Sequence, residues 1–151
     1  MKRQHRTVGA IVKIKVDNYY CFAQILPEVE LAFFDFRSNT CDIDLKELET
    51  APILFILIVY KDIITKGIWE KIGKIPIRKE LETLPMLYIH HTWGGGPEWE
   101  IYNPNTDEIF PSTKEETKGL ECFAVWDYGN VEDRLRCHYN GTHCIWLDDD
   151  Y

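Results

Sequence analysis

Residues 137–144 read Cys-His-Tyr-Asn-Gly-Thr-His-Cys, two thiols and two imidazoles mirrored around Asn140-Gly141. Thiolate and imidazole are the ligands zinc prefers, so the first chemistry to weigh is a metal knuckle; a disulfide hairpin is the second. Geometry argues against a shared ion. In a hairpin the period of two puts the Cys pair and the His pair on opposite faces, and on a helix Cys137 and His138 diverge by about 100°. His138 would then lean toward an apolar stripe while Cys137 points away. A zinc site also needs four ligands that converge tetrahedrally, and here a helix end would lie between His138 and His143.

Other chemistry-bearing residues are sparse. His90-His91 point to opposite sides of any strand that holds them, one toward the sheet and one outward. Neither Ser38 nor Ser112 sits in a Gly-x-Ser-x-Gly elbow, and there is no His-Glu-x-x-His. Gly94-Gly95-Gly96-Pro97 lacks the Lys-Ser/Thr of a phosphate loop and runs into strand-like residues, which makes it a loop between strands. The five Cys, at 21, 41, 122, 137 and 144, are an odd number at irregular spacing, as suits reduced thiols. Cys21 and Cys122 lie in apolar stretches where a small buried thiol is expected. No catalytic residue, metal ligand or cofactor is indicated.

The elements that carry these residues follow from periodicity. At 151 residues the chain suits one domain, 1–151. Val8, Ala10, Val12, Ile14 and Val16 share one face of a half-buried strand, with Lys13 and Lys15 on the other. Asp17-Asn18 turns into a second strand, Tyr19 to Leu26, which Pro27 ends, and a third runs from Leu31 to Phe36. These three form a meander, left through the polar loop 37–40. Asp44 to Glu49 suits a turn of helix. Ile53 to Tyr60 is apolar on both faces and belongs in the middle of a sheet or between packed layers. Its eight residues fall short of the roughly 20 that a membrane helix needs. Further short pieces follow: a helical one at 77–84, bracketed by Pro76 and Pro85, and strands at 86–91, at Trp99 to Tyr102, and from Leu120 to Trp126. Residues 126–141 satisfy helix rules: Asn130 as N-cap, Val131, Leu135 and Tyr139 in one stripe, Glu132 paired with Arg136, and Gly141 as the terminal glycine. A hairpin at Asn140-Gly141 competes but accounts for fewer residues. The fold class expected is α+β, mainly β: a bent antiparallel sheet or partial barrel with a short helix near the C-terminus.

The net charge is −8, and the last third holds eleven acids against four bases. Such a field repels phosphate backbones and attracts basic surfaces, so the expected partner is a basic protein, with neither nucleic acid nor membrane. The charged start, Met1 to Arg6, resembles a signal peptide, but Lys13 and Lys15 break the apolar stretch and no cleavage pattern follows, which suggests the cytoplasm. Candidate partner-binding residues are Trp99 and Tyr102 as anchors beside Glu98 and Glu100, and the tail Asp148-Asp149-Asp150-Tyr151.

Three blocks, VGAIVKIKVDNYYCFAQIL, ILFILIVYKDIITKGIWEKIGKIPI and LECFAVWDYGNVEDRLRCHY, together resemble the Immunity protein 26 family of bacterial polymorphic-toxin systems. Gly67, Trp69 and Gly73 carry the middle block, Gly9, Ile11 and Ile14 the first, and Trp126, Val131, Arg134 and Leu135 the last. Trp69 is expected in the core, since Ile68 and Ile72 flank it in a buried-looking block. The resemblance implies an inhibitor that binds and neutralises a cognate toxin domain, a nuclease being one candidate, and brings no catalytic residues with it. Some members carry a phosphotriesterase label, which would imply a metal-dependent hydrolase. That enzyme class uses a (β/α)8 barrel of about 250 residues with clustered His ligands, whereas this chain is shorter and has no His-x-His. A small-molecule sensor is the remaining alternative and would require an apolar pocket.

Overall fold

A computed structural model describes residues 2–148; Asp149, Asp150 and Tyr151 of the proposed acidic tail lie outside the described residues. Among the described residues there are ten strands in two mixed sheets, three α-helices and two 3-10 turns, an α+β fold that is mainly β, with no closed barrel. No helix is long and apolar enough to cross a membrane. The chain divides into two compact units, residues 2–78 with 125–148, and residues 79–124.

The larger unit is built on a six-stranded sheet. β1 (Ala10–Val16), β2 (Tyr19–Ile25) and β3 (Glu30–Ser38) form the expected antiparallel meander, joined first by the two-residue turn Asp17-Asn18, in which Asp17 takes a left-handed φ of 53°. β4 (Ile53–Val59) pairs with β3, β5 (Lys71–Lys74) with β1, and β10 (Val125–Trp126) adds in parallel beside Ile58 and Val59. The alternation in β1 explains the layering. Val12, Ile14 and Val16 stand with Cys21, Ala23 and Phe33 on the face covered by α2 (Lys61–Thr65) and α3 (Tyr128–Asn140), through Ile63, Ile64, Val131 and Leu135. The opposite face is expected to be polar from Lys13 and Lys15, yet Ile11, Phe22 and Phe34 are buried there under Leu48 of α1 (Lys46–Glu49), Ala51 and Ile75. The 43–51 segment therefore turns a one-sided sheet into a two-sided core at that end. Gln24, 1% exposed, bridges the meander to the chain after β5 by donating to the carbonyls of Gly9 (3.2 Å) and Ile75 (2.8 Å).

Three sequence expectations change. The apolar run 53–60 is an interior strand, with β4 paired to β3 on one side and β10 on the other, but it is not buried throughout: Ile53 through Ile56 are only half-buried. The stretch from Leu120 to Trp126 is not one strand. It is shared between the sheets, β9 (Glu121–Cys122) in one and β10 in the other, so Cys122 is exposed where a buried thiol is expected. Seven apolar-leaning residues look like one strand because periodicity does not report a change of pairing partner. Helix α3 begins earlier than Asn130: Asp127 is the N-cap, extended at φ −92°, and its carboxylate accepts from the Tyr128 N–H at 2.8 Å. Asp caps as well as Asn does, and further along the helix Val131 and Leu135 are at 0% exposure.

The smaller unit is a four-stranded sheet in the order β8 (Glu108–Ser112), β7 (Trp99–Asn103), β6 (Leu87–His90), β9. The Gly94-Gly95-Gly96 segment is the loop between β6 and β7, and the turn 103–107 joins β7 to β8. Asn103 Oδ1 accepts from the Asn105 N–H at 2.9 Å there. A 3-10 turn, Lys79–Glu82, stands where the segment between Pro76 and Pro85 was expected to be helical.

Candidate partner-binding surface

The Cys/His stretch belongs to the end of α3 and its exit. Gly141 adopts the left-handed conformation at φ 67°, and the Thr142 and Gly141 N–H groups donate back to the carbonyls of Cys137 (3.0 Å) and His138 (3.3 Å). This is the glycine-terminated helix end rather than the hairpin. The imidazoles then part company. His138 is exposed and reaches Asp35 Oδ1 of β3 at 3.1 Å, instead of leaning into the Val131/Leu135 stripe, while His143 Nε2 lies 2.5 Å from Asp148 Oδ1. Cys144 is 5% exposed and its thiol pKa is raised, chiefly by burial. Among the described residues no three His, Cys, Asp or Glu side chains are grouped so as to hold a metal ion.

Around α3 the polar pairing also differs from the helix-surface pattern. Arg136 pairs with Asp133 (2.6 Å) and, across the fold, with Asp17 (2.9 Å), rather than with Glu132. The Asp17 bond is the main reason the guanidinium pKa is raised. Glu132 instead accepts from the Trp69 indole at 3.3 Å; burial raises its carboxyl pKa, which that hydrogen bond partly offsets.

The residues of the middle block hold the larger unit together. Trp69 is 1% exposed, edge-on to Phe33 at 5.9 Å, and its carbonyl accepts from Gln4 Nε2 at 2.6 Å. Gly67 has φ +76°, and a Cβ there would stand 2.1 Å from the carbonyl oxygen of Lys2, so only glycine lets the N-terminal segment lie across the end of α2. At Gly73 a Cβ would meet Leu45 Cδ1 at 2.3 Å. Arg134, 9% exposed, lays its guanidinium 4.0 Å from the Phe55 ring centre and 5.2 Å from that of Trp126, cation–π contacts that join α3 to β4 and β10.

Of the proposed anchors, Trp99, Glu100 and Tyr102 belong to β7 of the smaller sheet and Glu98 to the bend just before it, but they do not share one face. With β6 paired to β7 as Leu87↔Tyr102, Ile89↔Glu100 and His90↔Trp99, alternation separates Trp99 from Tyr102. Trp99 stacks on His90 (3.9 Å, 5° between planes) with Tyr88 6.0 Å away, and Glu98 reaches round to that side, accepting from the Trp99 indole at 2.9 Å. On the reverse, Glu100 meets His91 at 2.5 Å, and Tyr102 packs 4.5 Å from Phe123 while its hydroxyl donates to Asp107 at 2.5 Å. His90 and His91 are thus on opposite faces, both half-buried. Asp148 lies in the larger unit, after the exposed turn Ile145–Leu147 in which the Trp146 indole donates to Asp133 at 3.0 Å.

Charge is concentrated differently by unit than by thirds of the chain. Residues 79–124 hold nine acids and three bases, a net −6 of the chain's −8. They also hold exposed Trp93 (84%), Ile109 (54%), Phe110 (41%) and Phe123 (40%). Sequence patterning missed these four because they sit in a loop, an edge strand and a strand break, where no period marks a face. The one signal was composition: a Trp beside three glycines, and Ile-Phe between Glu108 and Pro111.

In the larger unit, Arg6, Glu28, Val29, Val59, Lys61 and Ile64 line a cleft of about 180 Å³, small beside the roughly 300 Å³ at which ligand pockets begin. Arg6 is committed to the turn above it, donating to the carbonyls of Leu26 (2.9 Å) and Glu30 (3.2 Å).

Comparison with known families gives the class of this protein: the immunity proteins. The profile described as Immunity protein 26 matches residues 7–99, which is more than half of the chain and takes in the first two blocks with Gly67, Trp69 and Gly73. The chain belongs to the Immunity protein 26 family. Trp126 and Arg134 of the third block lie beyond the matched region. Neither the curated proteins nor the solved structures yielded a match.

Proposed function

We propose that this protein, acting as one domain in the bacterial cytoplasm, neutralises a cognate toxin domain by binding it stoichiometrically, without catalysis and without a cofactor. Membership of an immunity-protein family is the observation that carries this reading. The net charge of −8 supports a toxin with a basic surface, such as a nuclease, whose approach an acidic field accelerates. The acids would cover the toxin's active site or occupy the place of the phosphates it binds. Candidate contacts are Glu98, Trp99, Glu100 and Tyr102, together with Asp148, Asp149, Asp150 and Tyr151. The test is co-expression with the toxin domain encoded beside the gene: growth should be rescued and a one-to-one complex recovered. Absence of both rescue and complex would exclude the proposal.

A further inference from the structure

Resting on that inhibitor reading, we infer that the toxin docks on one particular face of the small sheet, the face bearing Glu100, Tyr102, Ile109 and Phe123, and that what it presents there is a basic protein surface with an apolar centre. Tyr102 stands in the middle of this face. Its register partners are Ile109 on β8 and Leu87 on β6, Phe123 packs against its ring, and Asp107 holds its hydroxyl. An aromatic fixed on three sides has little rotamer freedom left to lose on binding, which is what distinguishes an anchor from an exposed side chain. Ile109 and Phe123 flank it, 54% and 40% exposed, and supply apolar surface that the fold itself leaves uncovered.

The surroundings select the partner. Glu100 and Asp107 border the apolar centre, and β6, β7, β8 and β9 contain no Lys or Arg. An apolar centre inside a charged rim is the usual anatomy of a protein interface, and here the rim is acidic. A second copy meeting this face through a twofold axis would set the same acids against themselves, and nucleic acid would bring phosphates toward them. A basic protein meets neither repulsion. Trp99, by contrast, is stacked on the reverse face against His90 and braces β7 from behind.

The experiment uses the full chain and, as probe, the purified toxin domain encoded beside it. The double variant Ile109→Arg with Phe123→Arg adds two positive charges to the face. Glu47→Arg, on exposed α1 of the larger unit, makes the same change in net charge elsewhere. The double variant, which places two charges in the apolar centre beside Tyr102, should weaken binding by about 100-fold or more, while the control stays within about threefold. Hydrogen exchange on the wild-type complex, which does not depend on how the variants fold, should show new protection across 99–103 and 108–112. Wild-type-like binding by the double variant without protection of these strands overturns the inference and leaves the inhibitor reading intact. Protection of the same strands by self-association alone also overturns it. Failure of the wild-type protein to bind the toxin removes the inhibitor reading and this inference with it.

Discussion

Replacing Gly67 by alanine should be among the most damaging single-methyl changes in the protein, and the damage should depend on a residue 65 positions away. Two effects add. At φ +76° an L-residue is strained by about 1–2 kcal/mol. The new Cβ also stands 2.1 Å from the Lys2 carbonyl oxygen, a contact that only displacement of the N-terminal segment relieves. That segment is fastened by Gln4: its N–H donates to the Thr65 carbonyl (3.0 Å), its side-chain amide to the Trp69 carbonyl (2.6 Å), and its side-chain oxygen accepts from the Lys71 N–H (3.1 Å). At about 1 kcal/mol net for each hydrogen bond, displacement costs about 3 kcal/mol. The expected loss is therefore about 4–5 kcal/mol, a fall in Tm of about 8–20 °C at this chain length. Deleting Lys2 and Arg3, so that Met precedes Gln4, removes the clash and should leave only the strain of about 1–2 kcal/mol. Denaturant and thermal melts of the four proteins in this cycle give the coupling directly, with Gly94→Ala, where a Cβ meets nothing within 4 Å, as the silent control. Equal losses in the full-length and shortened backgrounds would falsify the proposed contact, and a Gly67→Ala protein as stable as wild type would refute the backbone argument as well.

The cap of α3 can be tested by comparing Asp127→Ala, expected to cost about 1 kcal/mol, with Asn130→Ala, which sits inside the helix and should be neutral or slightly stabilising; the reverse order in melts would restore Asn130 as the cap. Because burial raises the Glu132 carboxyl pKa above its ordinary value near 4.5, the folded state holds that proton more tightly. The stability this contributes is complete below about pH 4.5 and is lost as pH rises through the higher folded value. Glu132→Gln, which keeps an acceptor for Trp69, should accordingly raise Tm at neutral pH, with the gain vanishing in acid; a gain independent of pH would exclude the titration. Thiol labelling should modify exposed Cys122 quickly and leave Cys21, buried and with its pKa pushed up to about 12, untouched until unfolding, as peptide mapping would show. Arg134→Ala should cost about 1–3 kcal/mol through lost stacking on Phe55 and Trp126, measured by denaturant melts; a change below about 0.5 kcal/mol would show those contacts to be incidental.

The local sequence alone determined what nearest-neighbour physics controls. The alternation of Val12, Ile14 and Val16 set a strand and its buried face, Asp17-Asn18 set a two-residue turn, and the Val131/Leu135/Tyr139 stripe closed by Gly141 set a helix and its end. Each depends on residues within a few positions of one another. Tertiary structure alone decided what depends on partners distant in the chain. Ile11 and Phe22 are buried because the 43–51 segment covers them. Residues 120–126 are divided because β4 and β6 each offer an edge. Gly67 must be glycine because Lys2 crosses it. The same holds for the candidate surface: a period of two already puts Trp99 and Tyr102 on opposite faces of one strand, but only the pairing of β7 with β6 and β8 sets Tyr102 among Leu87, Ile109, Phe123 and Asp107. Composition could report that this chain is acidic and aromatic, but only register could say which of those side chains share a surface, because a period of two assigns faces within a strand and hydrogen-bonded neighbours assign them across the sheet.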